Sequence, residues 1–203
     1  MSFESSESFL TPELLEYCYR EGAFPMADED GSVEFYRAEP RCILELDELH
    51  VSKSLARVIR SGRYEIRVNH DYEGVIRGCA ERSETWISPK IIAAYVELHR
   101  VGKSHSVEAY HANRLVGGLY GVALGGFFGG ESMFSRMPDA SKVCLVALVE
   151  RLRERGFALL DCQIRNDHLT RLGATEIPEA TFLRRLGEAL TLERSFTQKT
   201  AFR

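Results

Sequence analysis

The chain has 203 residues, enough for one or two domains with a sizeable buried core. Hydrophobic residues make up 44% and charged residues 28%, proportions that exclude wholesale disorder. The 26 basic and 30 acidic side chains give a net charge of −4, so the chain is not a basic nucleic-acid coat. Any polyanion would have to bind a local basic patch.

The cysteines and the N-terminal segment indicate a reducing compartment. The five cysteines are scattered and form no C-x-x-C pair, which argues against a disulfide framework and the usual zinc patterns. The first residues carry no basic segment followed by an apolar run, and no apolar stretch reaches about 18 residues. We therefore expect no signal peptide, no transmembrane helix and a cytoplasmic location.

The first predicted element is a helix that begins at Thr11 and ends at Gly22. Threonine is favoured as an N-cap, the proline that follows suits the first helical position, and glycine favours a C-terminal stop. The Ser/Glu-rich residues 1–10 before this helix are expected to be loose. Residues 23–50 are predicted to form loops and short strands.

Hydrophobic periodicity predicts the rest of the chain. The predicted elements are, in order, a helix over 51–61, a strand over 64–69, helices over 71–82 and 89–101, strands over 106–110, 114–122 and 125–130, a helix over 140–155, a strand over 157–164 and short helices over 167–172 and 179–190. The three consecutive strands have short connections, which predicts an antiparallel meander. The helix over 140–155 is apolar almost all round, so we expect it to be buried.

These elements predict an α+β fold in two parts. We expect a small N-terminal domain over residues 1–62 and a larger domain over residues 63–203. The sequence contains no internal repeat and no low-complexity linker between them.

Two polar residues end the apolar strand over 157–164. Asp161 and Gln163 are two positions apart, and the alternation of side chains along a strand predicts that they point the same way. A carboxylate and an amide at the end of a buried strand are costly unless something uses them. The carboxylate could accept a proton or hold a cation, and the amide could orient an amine. The alternative is that both satisfy nearby backbone groups.

A second candidate is the glycine-rich segment before Glu131. Gly129 and Gly130 permit close backbone approach or unusual dihedral angles. Glu131 follows an apolar strand, where its carboxylate could meet a cation. A solvated glutamate in a glycine-rich turn is the alternative.

Two features could contact nucleic acid. Trp86 lies in a polar context and could stack on a base, although a lone tryptophan usually belongs to a core. The predicted helix over 51–61 carries a basic stripe that suits phosphate contacts, formed by Lys53, Arg57 and Arg60 and continued by Arg63. Most such stripes are solvated helix faces. The six histidines show no metal-like arrangement and no P-loop, G-x-G-x-x-G or G-x-S-x-G motif occurs, so we expect no metal and no cofactor.

Long strings of low degeneracy carry a specific resemblance. The chain resembles the leucyl/phenylalanyl-tRNA–protein transferase family in EGAFPM (21–26), ETWISP (84–89), HSVEAY (105–110), LVGGLYGVALGGFFGGESMFSRMPDASK (115–142) and LLDCQIRNDHLTRLGATEIP (159–178). The resemblance implies a larger domain of the acetyltransferase-like (GNAT) type behind a small N-terminal α/β lobe. It also implies transfer of Leu or Phe from aminoacyl-tRNA to the α-amine of proteins that begin with Arg or Lys, which marks them for N-end-rule degradation.

The resemblance assigns site residues by position. Asp161 and Gln163 match the catalytic pair, with Gln163 expected to orient the amine and Asp161 to polarise it or relay its proton. Glu131 matches the residue near the acceptor's basic side chain, and Trp86 the residue that stacks on the terminal adenosine. The other implied substrate-binding positions, which include an apolar pocket, are Tyr95, Leu119, Phe128, Gly130, Ser132, Leu145, Leu148, Leu152 and Leu160.

The implied partners are aminoacyl-tRNA and an acceptor protein, with the basic residues over 53–63 as the tRNA footprint and the enzyme a monomer. Leu148 and Leu152 stand where the family often has phenylalanine, which leaves the preference among Leu, Phe and Met open.

Three other functions fit parts of the same pattern. An acyl-CoA-dependent N-acetyltransferase would need a [QR]-x-x-G-x-[GA] loop that opens a helix, and neither string that fits this pattern, RERGFA (153–158) or RRLGEA (184–189), opens a predicted helix. A tRNA- or degron-binding module would bind without transfer. A peptidoglycan-type aminoacyl transferase would use the same donor with a muropeptide acceptor.

Overall fold

The computed structural model describes residues 10–28, 32–82 and 85–197. The helices are α1 (Pro12–Arg20), α2 (Lys53–Arg60), α3 (Tyr72–Ala80), α4 (Pro89–Arg100), α5 (Ala140–Glu154), α6 (Asp167–Thr170) and α7 (Glu179–Leu190), with a 3₁₀ turn at Leu46–Glu48. The strands are β1 (Phe24–Ala27), β2 (Val33–Tyr36), β3 (Arg41–Leu44), β4 (Glu65–Val68), β5 (Ser104–His111), β6 (Arg114–Leu124), β7 (Phe127–Ser135), β8 (Leu159–Gln163) and β9 (Thr175–Ile177). The expectation that residues 1–10 are loose falls almost entirely outside the described residues.

Side-chain caps explain where two helices begin. The Oγ1 of Thr11 accepts the backbone N–H of Leu14 at 3.2 Å, and the Oγ of Ser88 accepts that of Ile91 at 3.3 Å. A proline follows each cap, where its missing N–H costs nothing. At the other end of α1, Gly22 adopts φ +77°, a conformation that favours glycine. Both helices therefore start where the sequence predicts.

Seven strands form one mixed sheet in the order β4-β5-β6-β7-β8-β3-β9. The strands from β4 to β7 pair antiparallel, β8 pairs parallel to β7, and β3 pairs antiparallel to both β8 and β9. The α+β class and the antiparallel meander are thereby confirmed. The third strand of the meander, predicted over 125–130, in fact extends from Phe127 to Ser135. β1 and β2 form a separate two-stranded sheet.

The large sheet separates two hydrophobic cores. On one face α5 packs against β5, β6 and β7, and on the other α3, α4 and α7 pack against the sheet. Successive strand residues alternate between the cores, so that Leu159 belongs to one and Leu160 to the other. α5 is buried along most of its length, as its apolar pattern predicts. Within the described residues, no helix combines the length and apolar character required to cross a bilayer.

The N-terminal segment contributes directly to this sheet. β3 lies between β8 and β9, although its residues belong to the part of the chain predicted as the small domain. α1 packs on α4 and α7. The division at residue 62 stays a prediction.

Candidate active site

A cavity lies where β7 and β8 separate. The two strands pair only from Phe127–Leu159 to Gly129–Asp161. Beyond this point β7 continues along β6 alone, and β8 ends at Gln163. A cavity of about 770 Å³ occupies the gap, and both strands line it, β7 with Gly130 and the residues after it and β8 with Leu160, Cys162 and Gln163.

Both strands carry a β-bulge at this position. On β7 the pairing with β6 skips Glu131, and on β8 the pairing with β3 skips Cys162. A bulge locally breaks the alternation of side chains and changes the direction in which they point. Gln163, directly after the second bulge, has φ +60°, in the left-handed region. These two irregularities bring the polar side chains of the two strands together.

The carboxylate of Glu131 receives hydrogen bonds on both oxygens. The Nε2 of Gln163 donates to Oε1 at 2.7 Å, and the hydroxyl of Tyr95 donates to Oε2 at 3.0 Å. Tyr95 is fully buried and its hydroxyl is also hydrogen-bonded to that of Tyr19. Tyr95 therefore acts on the cavity through Glu131 and is not itself among the lining residues.

Burial raises the pKa of Glu131 to about 7, and the negative charge of Asp161 adds to this rise. Hydrogen bonds from Tyr19, Tyr95 and Gln163 favour the ionised form and limit the rise. Glu131 is therefore a cavity-lining carboxylate that changes its protonation near neutral pH, the range in which acid–base groups are effective.

Asp161 lies behind the cavity and does not line it. Its carboxylate is completely buried and receives two hydrogen bonds from Arg41, 2.9 Å from Nε to Oδ1 and 2.6 Å from Nη2 to Oδ2. The Oδ1 atom also accepts the backbone N–H of Gln163 at 2.9 Å. The structure thus joins the two residues of the predicted catalytic pair, but only Gln163 faces the cavity.

The predicted apolar positions divide into two groups. Leu119, Leu145, Leu148 and Leu160 line the cavity and form its apolar wall. Phe128 and Leu152 are fully buried in the same core and lie outside the lining, where they can only support the wall. The other predicted substrate-binding residues that line the cavity are Trp86, Gly130, Glu131 and Ser132.

The predicted basic stripe is exposed and lies outside the cavity lining. Its members Lys53, Arg57, Arg60 and Arg63 are all exposed. None of them forms an ion pair with another residue in the part of the chain that the structure describes. α2 packs on α5 through its buried Leu55, so the charges face outward.

Sequence reasoning missed several residues at the site. Arg82 and Arg136 line the cavity; Arg82 donates to the carbonyl oxygen of Met133 at 2.5 Å, and Arg136 pairs with Glu81 at 2.8 Å. Arg41 was missed as well, although an arginine at the start of an otherwise apolar strand is a visible signal. Across the described ranges, no group of three or more His, Cys, Asp or Glu residues could hold a metal ion.

Apolar side chains beside a few hydrogen-bonded polar groups are typical of a pocket that binds a ligand with an apolar part. The family model described as leucyl/phenylalanyl-tRNA protein transferase matches residues 43–187, and the model of its N-terminal domain matches residues 10–39. The chain belongs to this family, and the protein is an aminoacyltransferase. The resemblance inferred from the sequence is confirmed.

Relatives with the family's name are similar over nearly their whole length. The leucyl/phenylalanyl-tRNA–protein transferase of Rubrobacter xylanophilus is 68% identical over 92% of this chain and 98% of its own. Those of Gloeobacter violaceus and Herpetosiphon aurantiacus are 53% and 52% identical, each over 92% of this chain and over 97% and 98% of their own.

Among solved structures, L-PGS from Bacillus licheniformis matches with a TM-score of 0.42 and 11% identity, covering 76% of this chain and 51% of that one. The C-terminal domain of a putative lysylphosphatidylglycerol synthetase from Agrobacterium fabrum gives a TM-score of 0.41 and 14% identity, over 76% of this chain and 52% of that one. These values are too low to support a conclusion about fold or function.

Proposed function

We propose that the enzyme transfers leucine or phenylalanine from aminoacyl-tRNA to the N-terminal α-amine of proteins that begin with Arg or Lys. The product carries an N-end-rule degradation signal, and the enzyme acts in the cytoplasm as a monomer, with a GNAT-type fold in its larger part. The observation that carries this proposal is the Gln163–Glu131 hydrogen bond beside the leucine wall of the cavity.

The reaction is the aminolysis of an ester. The nitrogen of a neutral amine forms a bond to the acyl carbon and gives up one proton, the bond from that carbon to the ribose oxygen breaks, and the ribose oxygen leaves as a hydroxyl with one proton gained. Gln163 uses its Nε2 to donate to Glu131, so its Oε1 is left to accept an N–H of the incoming amine. Holding the amine in line with the ester accounts for much of the rate that such a site can achieve.

The leucine wall supports the choice of donor. Leu119, Leu145 and Leu148 offer only apolar contact, which favours leucyl and phenylalanyl side chains. A polar side chain there would lose its hydrogen bonds to water without replacement. The transferred residue is therefore selected by shape and desolvation, and methionine is a third donor to be tested.

Glu131 supports the choice of acceptor. A guanidinium or ammonium group that approaches Glu131 favours the ionised carboxylate and can form a charge-assisted hydrogen bond with it. An acceptor that begins with an uncharged residue lacks this interaction. Glu131 is thus proposed to recognise the basic N-terminal residue.

Exposed positive charge supports tRNA binding. The basic stripe on and just after α2 is free to contact phosphates, and Arg82 adds positive charge at the cavity. Trp86, which lines the cavity, is proposed to stack on the terminal adenosine.

The test supplies purified protein with radiolabelled Leu-, Phe- or Met-tRNA and with peptides that begin with Arg, Lys or Ala. We expect label from Leu and Phe on the Arg and Lys peptides, and loss of transfer in Gln163→Ala but not in Arg165→Ala, a change at an exposed residue. Equal labelling of the Ala peptide would refute the role of Glu131. Absence of transfer to any peptide would refute the function.

A further inference from the structure

Arg41 is a fully buried arginine with no direct contact to the cavity. It is 1% exposed and begins β3, the strand paired with β8. A buried guanidinium is costly unless its donors are satisfied, and here they are bound in a fixed arrangement. Arg41 does not line the cavity, so its role there must be exerted through the residues that it binds.

The guanidinium of Arg41 connects the N-terminal segment to the strand that carries Gln163. Two of its nitrogens bind the two oxygens of Asp161, and its Nη1 donates to the carbonyl oxygen of Gly22 at 2.9 Å. The rings of Phe24 and Phe182 lie over it, with centroids 4.9 and 4.4 Å from its central carbon. Phe24 itself lines the cavity, so Arg41 supports the cavity wall both through Phe24 and through the strand that carries Gln163.

Asp161 in turn holds the backbone of Gln163. Its Oδ1 accepts the N–H of Gln163, whose φ of +60° is unfavourable for a residue other than glycine. The bond favours that conformation, in which the carboxamide reaches Glu131 at 2.7 Å. Because all of its described hydrogen bonds are internal and it does not line the cavity, Asp161 has no position from which to meet a substrate proton.

We propose that Arg41 is a positioning residue of the transfer reaction. Arg41 fixes Asp161, Asp161 holds the backbone of Gln163, and the carboxamide of Gln163 is thereby placed at the acceptor amine. Asp161 is then also a positioning residue and does not relay a proton. This inference rests on the proposed function, since it takes Gln163 as the group that orients the acceptor.

The fork of the arginine side chain is essential to this role. A guanidinium binds both oxygens of a carboxylate at once and keeps a further donor for Gly22, whereas the ammonium of lysine is a point charge without that geometry. Asparagine at position 161 retains an oxygen that can accept the N–H of Gln163 but cannot exchange a proton. Arg41→Lys disturbs positioning, and Asp161→Asn removes any proton transfer by the carboxyl group, so the two substitutions separate these roles.

The experiment measures kcat and KM of full-length Arg41→Lys, Asp161→Asn and the double variant Arg41→Gln/Asp161→Asn, with Phe-tRNA and an Arg-initiated peptide. Arg185→Lys is the matched control, because Arg185 binds both oxygens of Glu45 and neither residue lines the cavity. The pH dependence of kcat, amide hydrogen exchange at Gln163 and the Tm are recorded for each variant. The double variant leaves no buried charge unpaired, so it tests the inference even where a single variant fails to fold.

We expect Arg41→Lys to lower kcat by about 10- to 100-fold with KM nearly unchanged, and to speed hydrogen exchange at Gln163, while Arg185→Lys changes neither. Asp161→Asn should lower kcat by no more than Arg41→Lys does and leave the shape of the pH profile unchanged, because asparagine still accepts the N–H of Gln163. The double variant lacks the guanidinium fork, so its kcat should fall to the range of Arg41→Lys, again with an unchanged pH profile.

Two results would overturn the inference while the proposed function stands. One is a folded Asp161→Asn protein that loses transfer or loses one limb of its pH profile, since that would assign proton transfer to Asp161. The other is an Arg41→Lys protein with the same kcat as Arg185→Lys. Absence of transfer by the wild-type chain would instead refute the proposed function and, with it, this inference.

Discussion

The carboxamide of Gln163 donates a 2.7 Å hydrogen bond to the carboxylate of Glu131 across the gap between β7 and β8. Glu131 is the extra residue of the bulge on β7, and Gln163 directly follows the bulge on β8. The contact therefore depends on two departures from regular strand pairing, and the chemistry of the cavity is tied to the positions at which the sheet is irregular.

Replacing Glu131 by glutamine should weaken the choice of acceptor. In the wild type the KM for an Arg-initiated peptide should rise as the pH falls through about 7, because the carboxyl becomes protonated and no longer attracts a cation. Glu131→Gln should keep only the pH dependence that the peptide's own α-amine gives to every acceptor, and should lower the kcat/KM ratio of Arg to Ala peptides by about 10- to 100-fold. Steady-state kinetics with both peptides checks this. Glu73→Gln, at an exposed helix position, should behave as the wild type, and an unchanged ratio in Glu131→Gln would contradict the assignment.

The same carboxylate should make stability depend on pH. Its pKa is about 7 in the folded protein against 4.5 as the ordinary value, so folding favours the protonated form. This contribution is complete below about pH 4.5 and is lost as the pH rises through 7. Glu131→Gln should therefore stabilise the protein relative to the wild type at pH 8, by about 3 kcal/mol at most, and by less at pH 5. Urea unfolding at both pH values measures the difference, and a larger gain at pH 5 would disprove the sign.

Enlarging Leu148 should change which amino acid is transferred. Leu148 is 1% exposed and lines the apolar wall, so a phenylalanine there takes space from the transferred side chain. Leu148→Phe should lower the kcat/KM ratio of Phe-tRNA to Leu-tRNA by about tenfold or more. Leu148→Met, close in volume, should leave the ratio within about threefold. If the two variants gave equal ratios, Leu148 would have no part in donor selection.

Neutralising the basic stripe should weaken binding of tRNA and leave the chemistry intact. Arg57→Gln and Arg60→Gln should each raise the Kd for aminoacyl-tRNA. Each should also make binding less sensitive to salt, with the slope of the logarithm of the association constant against the logarithm of salt concentration less negative by about 0.7 to 1. Transfer from aminoacyl-adenosine, which lacks the tRNA phosphates, should be unaffected. Arg184→Gln removes an exposed charge already paired with Glu188 and serves as the control. An equal loss with aminoacyl-adenosine would place these arginines in the active site.

Most helices and the antiparallel meander could be predicted because their signals are local. Capping residues and prolines mark the starts of α1 and α4, and alternating apolar residues mark the strands. β9 has only three residues and is held by its pairing with β3, a contact between distant parts of the chain. A strand of that length carries no pattern of its own.

The sequence indicated which residues form the site, but it did not indicate how they are arranged in space. Alternation along a regular strand places Asp161 and Gln163 on one face, and it cannot indicate that pairing skips the residue between them. Nor does any local pattern pair Arg41 with Asp161, 120 positions away in the chain. The chemistry was visible in the sequence, whereas the bulges and the buried ion pair required the fold.

The two halves of the large sheet meet along a short seam, the three residue pairs from Phe127–Leu159 to Gly129–Asp161. A substrate bound in the cavity beyond that seam would contact both β7 and β8. We therefore expect substrate binding to oppose separation of these two strands.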